Sequence, residues 1–140
     1  MENEDKYQDV IVHGMQDSAL LHLVLCANLD VGIDVTILAE GQLVAGNLIS
    51  GKRYAEETAA KLREANADEG LKNVLAGFFD KLSDEYKHGE NNTIPLNFLH
   101  VKDPSYMIGN GSWTTLNGAI VRIAIDKVTG FSLGSPSNIE

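Results

Sequence analysis

The sequence predicts an α+β fold in which a small, strongly bent antiparallel sheet carries an N-terminal helix and a helical insertion at about residues 52–89. Two observations predict it. β-prone runs are grouped before and after a helical block, without the alternation of a βαβ fold. Glycine also interrupts the second run at Gly46, where a residue without a side chain weakens a strand but lets it curl. The 140 residues have the length of one domain, and a chain of that size buries roughly two thirds of its unfolded surface. The whole chain, 1–140, is therefore read as a single domain.

Residues 1–15 are polar apart from Val10 to Val12 and are expected to form a loosely held arm. Asp17 or Ser18 can cap a helix from about Ala19 to Asn28, with Leu20, Val24 and Ala27 on one face. So much of that helix is apolar that it is expected to lie against the sheet or another subunit. Asp34 to Glu40 and Gln42 to Ile49 are β-prone runs joined at Glu40-Gly41, which is a hairpin signal.

From Gly51 the period lengthens to that of a helix. Tyr54, Thr58, Ala59 and Leu62 make one stripe. After the polar break Asn66 to Gly70, the positions Leu71, Val74, Leu75, Phe78, Phe79, Leu82 and Tyr86 make a stronger one, which is expected to be core, and Gly89 is expected to end that helix. Strands return at Ile94 to Lys102. A loop is expected through Asp103-Pro104, a turn at Gly109 to Gly111, and then Ala119 to Leu133 with a turn near Asp126-Lys127.

Twenty acidic residues against eleven basic ones give a net charge of −9, which repels a phosphate backbone and disfavours nucleic acid as a partner. The basic residues are scattered, with Lys52-Arg53 the one adjacent pair. No apolar run approaches the ~20 residues that span a bilayer, so no membrane partner is expected. The acidic opening Met-Glu-Asn-Glu-Asp is of the wrong sign for a secretory leader. The single cysteine, Cys26, lies in an apolar run and is expected to be buried and reduced. A cytoplasmic location follows as the expectation.

Gly46 to Lys52 has the spacing of a phosphate-binding P-loop, but Arg53 stands where a Ser or Thr hydroxyl would hold Mg²⁺. His13, His22, His88 and His100 show no metal spacing, so no metal or cofactor is expected. His100 sits in a strand between Leu99 and Val101, where a histidine is structural or faces a cleft. The acids Asp80, Asp84, Glu85 and Glu90 read as the solvated face of the second helix. Trp113, in the turn after Gly111, is either an exposed contact residue or a lid over one end of the sheet.

The segments Glu40 to Tyr54, Leu99-His-Val-Lys-Asp103 and Gly118 to Gly134 together resemble the gas vesicle accessory protein U family. Their most specific pieces are Gly46-Asn-Leu-Ile-Ser-Gly-Lys52, Leu99 to Asp103 and Gly130-Phe-Ser-Leu-Gly134, although Val121 precedes Arg122 where that family has an aromatic. The strand pattern also resembles an Sm-like barrel, with the rhythm of Val44-Ala-Gly-Asn-Leu48 in its second strand. Residues such a protein would use for RNA are mostly missing. Ala124-Ile125 replaces an Arg-Gly pair, Lys52 replaces an acid, and Asn97 alone could match.

These resemblances imply a non-enzymatic accessory or assembly protein. It would bind other gas vesicle proteins and associate with itself into a homo-oligomer through open sheet edges. An Sm-like RNA-binding ring is one alternative, and a small enzyme using His100 with a nearby carboxylate is another. The candidate interaction residues are Trp113, His100, Asn97, Arg122 and Phe131.

Overall fold

The computed structural model describes residues 17–87 and 94–136. The expected arm at 1–15, His13, His88, Gly89 and Glu90 lie outside these residues.

Helix α1 spans Ser18–Asn28, and Asp17 caps it by accepting a hydrogen bond from the Ala19 amide. Its expected face, Leu20, Val24 and Ala27, is buried against the sheet. Cys26, expected to be buried, is half-buried, because it sits beside that face rather than on it.

Strands β1 (Ile33–Ala39) and β2 (Gln42–Ile49) form the expected hairpin. Its two loop residues, Glu40 and Gly41, both have positive φ, 49° and 83°. That is the backbone which matches the twist of paired strands in a two-residue turn. Ser50 then caps α2 (Gly51–Glu64), and Asp68 caps α3 (Glu69–Glu85). After α3 come β3 (Phe98–Met107), β4 (Trp113–Thr115), β5 (Ile120–Ala124), a 3₁₀ turn at Ile125–Lys127 and β6 (Val128–Leu133).

The six strands make one antiparallel sheet, in the order β4-β3-β2-β1-β6, with β5 also paired to β3. No ladder joins β5 to β6 among the described residues, so the sheet is open rather than a closed barrel. It is nevertheless strongly bent. β5 and β6 lie at opposite ends of the order β5-β3-β2-β1-β6, which in a flat sheet would separate them by about 19 Å. The chain from Ala124 to Val128 cannot span more than ~14 Å, so the sheet curls until its ends approach at the buried Ile125.

Asp103-Pro104 is not a loop. Both residues lie inside β3, opposite the single residue Gly46, where the β2–β3 register shifts. The bulge tolerates Pro104, whose missing amide hydrogen would break a regular ladder. Gly46 is required here because a Cβ would strike Val101 and the Lys102 carbonyl.

The sheet buries both faces. Val35, Ile37, Val44, Leu48, Leu99 and Val101 alternate onto the face covered by α1, each contributing about 1.5–3 kcal/mol of burial. Ile49 and His100, opposite each other on β2 and β3, belong to the face under α2.

The stronger helical stripe is core only towards its C-terminal end, where Phe79 and Leu82 are half-buried and Tyr86 is buried. Leu71, Val74, Leu75 and Phe78 are exposed, whereas Ala76, Ser83 and Tyr86 are buried. The reason is layering: α3 packs mainly on α2 rather than on the sheet. A helix on a helix buries a narrow stripe, and the buried residues of both helices are small, Ala55 and Ala59 on α2 and Ala76 and Ser83 on α3, which lets the two approach closely.

Candidate functional site

Where the helical pair meets the sheet, side chains from four elements converge on His100. β3 alternation puts Phe98 and His100 on one face, and the register sets Arg122 of β5 directly opposite His100. The Arg122 Nη1 group donates to His100 Nε2 at 2.9 Å. A guanidinium has no acceptor, so Nε2 is unprotonated and the proton of the neutral ring sits on Nδ1. The guanidinium lies 3.9 Å from the centroid of the Phe98 ring and 5.7 Å from that of Tyr54, within cation–π range.

α2 supplies Tyr54, which stacks on His100 at 4.6 Å between centroids. Tyr86, at the end of α3, meets His100 edge-on at 5.8 Å. Phe79 in turn meets Tyr54 edge-on at 6.1 Å. Burial first, and the Arg122 charge second, lower the His100 pKa to about 3. The ring is therefore neutral at physiological pH, and no carboxylate bonds to it among the described residues.

A second group lies beside this cluster. Glu57 accepts from Lys102 Nζ at 2.8 Å and from Arg53 Nε at 2.7 Å. The Lys102 hydrogen bond, with help from Arg53, holds the Glu57 carboxyl below its ordinary range. This network and the His100 cluster together fasten α2 to β3.

The P-loop look-alike is a strand running into a helix, and its amides are already engaged. Gly51 donates to Asn28 Oδ1 at 2.8 Å, and Arg53 donates to Ser50 Oγ at 3.0 Å. The acidic residues of α3 are partly paired: Asp80 bonds Arg63 of α2, and Asp84 bonds Lys87.

Of the five candidate residues, the structure brings His100 and Arg122 together and leaves three elsewhere. Trp113 is not in a turn but opens β4 opposite Met107, and it is half-buried. Asn97 is exposed just before β3, and its carbonyl accepts from the Ile125 amide at 2.9 Å. Phe131 pairs with Ile37, packs on the core, and lines a shallow apolar groove with His22, Leu23 and Leu133. Sequence reasoning missed Tyr54 and Tyr86 as partners of His100 and Phe98 as a partner of Arg122, because nothing in their spacing links them.

The family model described as gas vesicle protein GvpU-like matches residues 17–136. The chain belongs to the GvpU-like family. No curated protein and no solved structure matches it. The match runs from the cap of α1 to just beyond β6, so this GvpU-like chain has both the bent sheet and the helical pair inside the family's region. Among its described residues no helix is long and apolar enough to cross a membrane, and no group of three or more His, Cys, Asp or Glu side chains is placed to hold a metal.

Proposed function

We propose that this protein is a non-enzymatic accessory or assembly factor of gas vesicles, working by binding other gas vesicle proteins and by associating with itself. The family match over residues 17–136 carries the first half of that reading. Support for the second half is that β5 and β6 each have a ladder partner on one side only, among the described residues. Unpaired backbone groups along such edges recruit strands from other chains. Phe131 and Leu133 beside the β6 edge add apolar contact for an incoming segment.

On this reading the architecture is Sm-like. α1, the β1–β2 hairpin, β3, β5 and β6 are the barrel elements, with the seam left between β5 and β6, and α2–α3 are the insertion. The role of the neutral, buried His100 is to anchor that insertion to the sheet, with no part in turnover. Trp113, Asn97 and Phe131 remain candidate contact residues, and a cytoplasmic location suits the role.

The experiment is a binding assay of the purified protein against intact gas vesicles and individual gas vesicle proteins, with light scattering on size exclusion in parallel. Co-sedimentation with vesicles and a mass above that of a monomer are expected. A Ser132→Lys variant, which places a charge on β6, is expected to reduce edge pairing. Failure to bind any gas vesicle component would overturn the reading.

A further inference from the structure

We propose that the outer face of α3 is a second self-association surface, on which another copy of this chain docks antiparallel through its own α3. The proposal deepens the self-association reading above and assigns it a site separate from the strand edges.

The face is apolar and open. Val74 is 72% exposed, Phe78 64%, Leu71 55% and Leu75 43%. At 100° per residue, Val74 and Phe78 each lie roughly 160° round the helix from the buried Ala76, so neither can turn inward without dislodging α3 from α2. These four side chains leave roughly 400 Å² of apolar surface per copy, the size of the largest apolar patch on a typical monomer, which is often functional.

The pattern fits a copy of itself. Leu71, Val74, Leu75 and Phe78 are spaced 3, 1, 3, which is symmetric about the midpoint between Val74 and Leu75. A two-fold pairing centred there sets Leu71 against the partner's Phe78, Val74 against the partner's Val74 and Leu75 against the partner's Leu75, so the same patch serves both chains. Asp68 and Lys81 bracket the patch six or seven residues from its centre. Antiparallel packing brings Asp68 to the level of the partner's Lys81, whereas parallel packing would set like charges side by side.

Pairing two faces buries roughly 800 Å² of apolar surface before the rim is counted, below the range of stable specific interfaces. The pairing is accordingly a weak, concentration-dependent one.

Sedimentation over a wide concentration range tests this on the wild type, Val74→Glu and Phe78→Glu, with circular dichroism to check that each variant is folded. Expected is reversible association of the wild type whose dissociation constant rises at least tenfold in both variants. Association unchanged in both would sink the α3 site and leave self-association through strand edges standing, while a wild type that stays monomeric throughout would overturn both. Register is read by cysteine cross-linking in a Cys26→Ser background. Mixing Leu71→Cys with Phe78→Cys chains is expected to give the mixed disulfide in excess. Predominantly like-with-like cross-links would overturn the antiparallel pairing.

Discussion

Gly51 begins α2 directly against the ring of Tyr86, and any Cβ at Gly51 would overlap that ring. The first residue of one helix and the residue just after the next are thus fitted to each other, with Tyr86 only 1% exposed. Gly51→Ala is expected to lower stability by about 1–3 kcal/mol, as overpacking does. Tyr86→Leu is expected to cost less in the Gly51→Ala background than alone, a coupling that a double-mutant cycle in urea would measure. Strict additivity would refute the fit.

Acid should weaken the fold in two windows. The folded pKa of His100, about 3, lies below its ordinary 6.5, so the unfolded chain takes up the proton first. Stability is therefore full above about 6.5 and declines towards pH 3, by roughly 3 kcal/mol between pH 7 and 4. Glu57, held below its ordinary 4.5, adds a loss that begins lower, as pH falls through its folded value. Urea titrations at stepped pH are expected to show a flatter slope above pH 4.5 in His100→Gln. Glu57→Gln is expected to flatten the profile only below that.

Arg122 touches three groups at once, so replacing it by lysine is not conservative. Arg122→Lys is expected to cost about 1–2 kcal/mol through the lost stacking on Phe98 and the lost bond to His100. Removing a neighbouring fixed charge should also raise the His100 pKa in Arg122→Leu, a shift readable by NMR titration of the ring.

Asn28 joins the end of α1 to the start of α2 by accepting from the Gly51 amide, at 3% exposure. Asn28→Ala is expected to cost about 1–3 kcal/mol, because it leaves that amide buried and unpaired. Its own Nδ2 finds no partner among the described residues, so the loss should fall at the low end. Chemical denaturation measures it, and no change would refute the link.

The local features were legible wherever a residue type dictates a backbone shape. Asp17 as a cap, the turn at Glu40-Gly41 and the irregularity at Gly46 all follow from side-chain chemistry within a few residues. Periodicity found α3 but not its orientation. The spacing of Leu71, Val74 and Phe78 fixes a face, and only the packing of α3 on α2, which buries Ala76, decides that this face looks outward. Asp103-Pro104 misled because a bulge excuses a proline that a regular strand would reject. The His100 cluster was hidden for another reason: Tyr54, Tyr86 and Arg122 are far apart along the chain and meet only through tertiary structure.

The pairing of β1 with β6 constrains the order in which the molecule can be made. Ile37 finds its neighbour Phe131 only after almost all of the described sequence has left the ribosome. Until then the nascent hairpin of β1 and β2 waits with one flank bare, during the interval when strands are most prone to misassemble. α1, completed earliest and buried on the same sheet, is positioned to shield the apolar side of that waiting hairpin, so its loss should reduce the yield of soluble protein more than its share of the core alone would suggest.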